Sequence, residues 1–275
     1  MNPQNPSQFV VVDRPRPHVA LVTLNRPERM NSMAFDLMVP LKAVLDQLSS
    51  DNTVRAIVLT GAGRGFSSGA DHRSAGSVPN VDGLTRPTYA LRSMQVLDEV
   101  VLALRKMHQP VIAAVNGAAI GGGLCLALAC DIRVASTDAY FRAAGINNGL
   151  TASELGLSFL LPRAIGTSRA FELMLTGRDA SAVEAERIGL VSASVPATEL
   201  LDRCLDMAER IASFSRPGVE LTKRTLWSGL DATSLEGHMQ AEGLGQLYLR
   251  MLTGNFEEAV AARAQKRAPV FTDDK

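Results

Sequence analysis

The chain has 275 residues, enough for one large domain or two small ones with a substantial hydrophobic core. Apolar residues make up 46% and charged residues 20%, which excludes disorder over most of its length. Lys and Arg together number 28, as do Asp and Glu, so net charge is zero. That balance argues against nucleic acid or an anionic membrane as the main partner, since both select a basic surface.

Residues Met1 to Gln8 read as a frayed tail without the basic and apolar regions of a secretory signal. Phe9–Asp13 and Val19–Asn25 read as a β-hairpin turning through Arg14-Pro15-Arg16-Pro17. Asn31 or Ser32 can cap the next helix, whose apolar face is Leu37, Leu41, Val44, Leu45 and Leu48. Pro40 should kink that helix or mark its start. Ala56–Thr60 is a short strand running into a glycine-rich loop, Gly61 to Asp71, and Ser74–Thr88 is a long mobile loop, a candidate lid or mouth of a site. Leu91, Met94, Leu97, Val101 and Leu104 mark the next helix.

Met107 to Cys130 carries no Asp, Glu, Lys or Arg and is long enough to cross a bilayer. Asn116 and four glycines in its middle would expose backbone polar groups to lipid. It therefore reads as a buried strand (Val111–Val115), a glycine loop and a buried helix (Leu124–Cys130), with no membrane span. Ile132–Ala135 is another strand. Strands alternate with helices three times at roughly 50-residue intervals, the pattern of an α/β fold built from repeated β-β-α units. The remainder is mostly helical. Leu201, Cys204, Leu205, Ala208 and Ile211 form one stripe, and Leu235–Leu252 and Phe256–Gln265 two more helices.

Three cysteines without CxxC spacing give neither a disulfide framework nor a zinc site. Four scattered histidines provide no HExxH pair, so no metal is expected, and a reducing, cytoplasmic setting is the simplest reading. The loop Gly61-Ala62-Gly63-Arg64-Gly65-Phe66 has Phe where a dinucleotide fingerprint needs Gly. The loop at Gly117 lacks the Lys-Ser/Thr of a P-loop, and no G-x-S-x-G elbow occurs. His72 lies close to Ser67 and Ser68 in sequence, but nothing orients it as their base. What remains is two glycine loops, each presenting backbone N–H groups without side-chain cover at a strand's end. Converging, they would form an oxyanion hole; separately, they are tight turns.

Gly65-Phe66-Ser67-Ser68-Gly69-Ala70-Asp71 resembles the G-x-x-F-x-x-G-x-D loop of the enoyl-CoA hydratase/isomerase (crotonase) family. Ala113-Ala114-Val115-Asn116-Gly117, Gly121-Gly122-Gly123 and Ala129-Cys130-Asp131-Ile132-Arg133-Val134-Ala135 resemble its second signature. Leu161-Pro162-Arg163, Leu175-Thr176-Gly177-Arg178, Ala182-Val183-Glu184-Ala185, Gly189-Leu190-Val191 and Lys266–Phe271 are similar to its later blocks. The resemblance covers about Phe9 to Phe271. It implies a crotonase-like spiral of β-β-α units over residues 1–200 and a helical region for trimerisation over 201–275. It also implies an acyl-CoA thioester substrate of fatty acid or lipid metabolism, with no cofactor beyond the coenzyme A of the substrate, and a homotrimer or hexamer.

By position the oxyanion donors would be the N–H groups of Ala70 and Gly122. Ser68, Asp71 and Arg73 would lie along the acyl-CoA, with Arg64 or Arg73 reaching a phosphate unless they are merely solvated. Family hydratases use two glutamates. Their matching positions here are Cys125 and Gly145, so the two-glutamate mechanism is not expected. Cys125 reads either as a thiol activated at a helix start or as a core cysteine. Glu154 lies where the family's isomerases carry a catalytic carboxylate, within one residue of register. It reads equally as a helix-end carboxylate beside a Ser153 cap. Three readings follow: a single-carboxylate, isomerase-like enzyme; a hydratase with substituted groups; and a non-catalytic acyl-CoA-binding protein.

Overall fold

The computed structural model describes residues 8–273, so the expected N-terminal tail lies outside the described residues except for Gln8. The chain winds as a spiral. β1 (Val10–Arg16), β2 (Val19–Leu24) and α1 (Phe35–Ser50) form the first turn. β3 (Ala56–Gly61), β4 (Gly65–Ser67) and α2 (Arg86–Lys106) form the second, and β5 (Val111–Val115), β6 (Ala118–Ile120) and α3 (Gly122–Ala129) the third. β7 (Ile132–Ser136) and β8 (Tyr140–Arg142) begin a fourth, followed by α4 (Leu157–Ile165), α5 (Thr167–Thr176), β9 (Ala180–Ser181), α6 (Ala182–Arg187) and β10 (Ala193–Val195). Helices α7 (Ala197–Ala212), α8 (Arg216–Gly229), α9 (Leu235–Leu252) and α10 (Asn255–Ala264) complete it.

Each turn of the spiral places its strands in register with the turn before. The first sheet runs β1-β2-β3-β5-β7-β10 and the second β4-β6-β8-β9, parallel except at β1/β2 and β8/β9. β3 and β5 are apolar on both faces because both are covered. Ile57 and Leu59 face the interior with α1 and α3, while Val58 and Ala56 face Leu200, Cys204, Leu205 and Ala208 of α7. The expected division at residue 200 thus falls inside α7, whose buried stripe closes the outer face of the large sheet.

Other expectations shift locally. β1 continues through Arg16, so the hairpin turns at Pro17-His18, with His18 at φ 61°. Pro40 lies within α1 and does not end it. The first half of α2 is solvent-facing, with Leu91 and Met94 exposed; only Val100, Val101 and Leu104 are buried. The charge-free segment 107–130 is β5, β6 and α3, and no described helix is long and apolar enough to cross a membrane. α8 is fixed to the spiral by Asp131, which accepts from Trp227 Nε1 (2.6 Å) and pairs with Lys223 (2.9 Å).

Candidate active site

β4, β6 and β8 are adjacent parallel strands, so their carboxyl ends open side by side. The chain leaving β4 carries Gly69-Ala70, that leaving β6 carries Gly121-Gly122, and that leaving β8 leads to Glu154. This juxtaposition beyond the carboxyl ends of parallel strands is a common location for ligand sites. In sequence the two glycine loops follow the apolar runs of β3 and β5, whereas in the structure they leave β4 and β6. The short strands β4 and β6, which bring the loops together, have too few residues to announce themselves by periodicity.

The first loop is wired by side chains. Asn31 and Ser32, expected as helix caps, serve here instead; Ala34 is the N-cap of α1 and makes no side-chain bond. Buried Asn31 donates to the carbonyls of Ala62 (2.9 Å) and Gly65 (2.8 Å) and accepts from the Arg26 amide. Met33 donates to the Gly69 carbonyl (2.7 Å) and accepts from the Asp71 amide (3.2 Å). In this parallel bridge the intervening Ala70 amide must point away from Met33.

Asp71 was expected at the substrate. Its side chain turns inward and is only 3% exposed. It accepts from Arg29 (2.6 Å), Arg26, Ser32 and the amides of Arg73 and Ser74. Burial alone would raise its pKa, but the Ser74, Arg73, Arg29 and Ser32 bonds outweigh that and hold the carboxyl well below the usual range. Asp71 therefore positions the loop, with Arg26 and Arg29 as partners that the sequence reading missed. Ser68 is half-buried and donates to the Arg29 carbonyl (3.4 Å), while the side chains of Arg64 and Arg73 are exposed.

The second loop is held by close packing. Gly121 has φ +52°, and Gly122 begins α3, so its amide has no carbonyl one turn back. The loops touch: a methyl group on Gly69 would lie 2.5 Å from the Ile120 carbonyl and 3.2 Å from the Gly122 nitrogen. Among the described residues, neither the Ala70 nor the Gly122 amide has an acceptor. Two free amides side by side suit an oxygen that gains negative charge.

Glu154 stands against this pair. Its Oε1 is 3.1 Å from where a Gly121 side chain would begin. The N-cap of α4 is Gly156, without any side-chain bond, so Glu154 is outside the helix and Ser153 does not cap it. Leu155, at φ 46°, is in the left-handed region, a strained conformation for a branched side chain that concentrates at functional sites. The carboxylate makes no hydrogen bond with any described residue, and burial pushes its pKa up, partly offset by His72.

The two hydratase positions behave differently. Cys125 is buried and its Sγ contacts the Glu154 carbonyl at 3.5 Å. Burial, reinforced by Glu154, pushes the thiol well above its ordinary pKa, so it is a core cysteine rather than an activated one. At Gly145 a side chain would begin 1.9 Å from the Thr151 carbonyl, so a glutamate does not fit.

A cavity of about 820 Å³ lies elsewhere, between α8, α9 and the spiral, lined by Phe214, Leu226, Trp227, Leu249 and Phe271 among others. None of its lining residues belongs to the two loops or to the Glu154 turn.

The family model described as enoyl-CoA hydratase/isomerase matches residues 15–274. A probable enoyl-CoA hydratase of Mycobacterium bovis is 78% identical over 97% of this chain and 93% of its own length. An (E)-benzylidenesuccinyl-CoA hydratase of Thauera aromatica is 39% identical over 92% of this chain and 95% of its own. Among solved structures, a probable enoyl-CoA hydratase/isomerase from Mycobacterium abscessus superposes with TM-score 0.94 at 70% identity. It covers 98% of this chain and all of the other. A monofunctional enoyl-CoA isomerase from M. smegmatis superposes with TM-score 0.73 at 68% identity, covering 85% of this chain and 99% of its own.

Proposed function

The chain belongs to the enoyl-CoA hydratase/isomerase family, and from that premise we propose that it moves a double bond in an acyl-CoA thioester, with Glu154 as the base. The thioester oxygen sits on the amides of Ala70 and Gly122. Glu154 removes a proton from C2, the electron pair passes into the enolate, and the two amides hold the charge that develops on oxygen. Reprotonation at C4 leaves the double bond between C2 and C3. Ser68, Arg73 and Arg64 flank the mouth where the nucleotide end of coenzyme A would emerge.

The observation that carries this reading is the unbonded Glu154 carboxylate at the edge of Gly121, opposite a position 145 that has no room for a second carboxylate. A raised pKa makes a carboxylate a stronger base. Glu154→Gln keeps size and hydrogen bonding but cannot accept the proton. Conversion of a 3-enoyl-CoA should fall about 10²–10⁴-fold with acyl-CoA affinity little changed. Undiminished turnover by the variant would remove Glu154 from the mechanism.

The names of the relatives favour a second reading, hydration, since the 78% and 39% identical proteins are both called hydratases. Parallel assays with crotonyl-CoA and a 3-enoyl-CoA separate the two. Acyl-CoA binding without either activity supports a non-catalytic role. For assembly we propose a trimer or hexamer: α9 buries none of its residues and exposes Leu235, Leu244, Leu247 and Met251. Sedimentation as a 29 kDa monomer at micromolar concentration would contradict it.

A further inference from the structure

We propose that His72 is the second proton-transfer group of this site: its imidazolium delivers the proton to C4 while Glu154 takes the proton from C2. The proposal rests on the isomerase reading above. An allylic shift has two proton transfers at carbons two bonds apart, and a pair of groups on opposite walls of the site can serve both ends.

The geometry supplies such a pair. His72 follows Ala70 by two residues, on the loop leaving β4. Glu154 borders Gly121, on the loop leaving β6. The loops meet where a side chain on Gly69 would lie 3.2 Å from the Gly122 nitrogen, so His72, three residues beyond Gly69, stands on the segment that carries one free amide and Glu154 borders the segment that carries the other. Asp71, between Ala70 and His72, is anchored inward by its five donors, which leaves His72 on the outer side of the loop. His72 is exposed, and its ring makes no hydrogen bond with a described residue. It is therefore open to protons from solvent and not committed to holding the loop.

The groups that act on Glu154 are His72, through its charge, and the Cys125 thiol of α3, which packs against the Glu154 carbonyl. Around His72 stand Asp71 and Arg73 of its own loop and Glu154 opposite. The charge of His72 is felt at Glu154 and opposes the effect of burial there.

The electrons balance without any co-reactant. The C2–H bond breaks, its pair enters the C1–C2 bond, and the carbonyl pair moves onto oxygen. That pair then returns to the carbonyl, the C1–C2 pair becomes the C2–C3 double bond, and the former C3–C4 π pair takes the proton from the imidazolium nitrogen. The neutral imidazole takes a proton from solvent water and the Glu154 carboxylic acid gives its own up to water, so both groups are restored and no proton is lost or gained. Imidazole is the side chain whose charge changes nearest neutral pH, so it can exchange the proton without a large barrier.

The test uses the full-length enzyme and a 3-enoyl-CoA carrying deuterium at both C2 positions, in ordinary water. The parent should place solvent protium at C4 of the product. His72→Gln, at an exposed position, should lower kcat about 100-fold with KM within twofold. It should also shift the C4 hydrogen toward deuterium carried over from C2. Transfer of the C2 deuterium to C4 in most turnovers of the parent would overturn the proposal. So would a His72→Gln variant with kcat within threefold of the parent. Glu154→Gln distinguishes the levels of failure: if it is inactive while His72→Gln is active, only the role of His72 falls. If Glu154→Gln is active, or the parent shifts no double bond, the isomerase reading falls and this proposal with it.

Discussion

The two loops that offer the free amides are built by opposite means. The Ala70 loop is held by charge and hydrogen bonds: buried Asp71 gathers Arg26, Arg29, Ser32 and two amides, and Asn31 ties the loop to its neighbours. The Gly122 loop is held by shape. All eight residues of α3 are buried and none is charged, and Gly123 lies so close to the Ser67 carbonyl that a methyl group would stand 2.2 Å from it. The same task, fixing one N–H, is thus accomplished once by a polar network and once by steric fit. The first loop should respond to pH and to loss of a charge. The second should respond to a single carbon atom.

The steric side gives the largest expected effect. Gly123→Ala drives a methyl group into backbone, which cannot rotate aside, and overpacking of this kind should cost about 3 kcal/mol or more. Denaturant unfolding measures it. A loss below about 1 kcal/mol would show that α3 can slide and that shape does not hold this loop.

Asp71→Asn is the matching test of the polar side. It leaves Arg26, whose side chain is only 9% exposed, without its countercharge, and breaking a buried pair from one side costs about 3 kcal/mol. The sign with pH follows from the depressed carboxyl. Its stabilisation is present above about pH 4, where an unfolded aspartate is ionised, and is lost as pH falls toward the lower value in the fold. The stability lost by the parent between pH 4 and pH 2 should shrink in Asp71→Asn and persist in Gly123→Ala. Equal acid responses in the two variants would erase the distinction between the loops.

Gly122 separates the amide from the packing around it. Gly122→Pro removes the N–H and should lower acyl-CoA turnover by at least about 100-fold, the usual loss for one oxyanion donor. Gly122→Ala keeps the N–H and crowds side chains rather than backbone, the Met33 thioether at 2.3 Å and Leu155 Cδ1 at 3.3 Å from the added carbon, flexible ends able to move. Its rate should stay within about tenfold of the parent. Similar losses in both would mean that shape alone sets the rate.

The sequence made the repeated β-β-α spiral legible because β2, β3 and β5 are largely apolar runs of five or six residues set between helices with clear stripes. β4, β6 and β8 have three residues each, too short for a period to show, so the second sheet and the side-by-side exits it creates were not readable. The glycines of the loops were visible as residues, but their partners were not: nothing local says that Asn31 meets Gly65 or that Thr151 fills the space beside Gly145. Asn31 and Ser32 satisfy the composition rule for caps and are drawn instead into the loop network, a tertiary demand stronger than a cap bond. Glu154 was found by resemblance. The signal that it lies outside a helix, left-handed Leu155 followed by Gly156, exists only in three dimensions. Arg26 and Arg29 carried no signal beyond their charge.

The smallest effect concerns the stability of the carboxylate on the steric side, and its sign opposes that of Asp71. Burial favours the neutral form of Glu154, so its folded pKa lies above the unfolded one. Below the ordinary carboxylate range both states are protonated and the fold keeps its full stability. As pH rises through the folded value, the carboxylate must ionise in a half-buried place without a hydrogen bond, and stability declines. Glu154→Gln removes that ionisation. The variant should melt above the parent at pH 8 and converge with it near pH 4, read by thermal unfolding at the two pH values. A gap independent of pH would mean that the benefit of glutamine comes from packing. A variant less stable than the parent at pH 8 would mean that the carboxylate has a partner in solution and is not the free base required by the proposed chemistry.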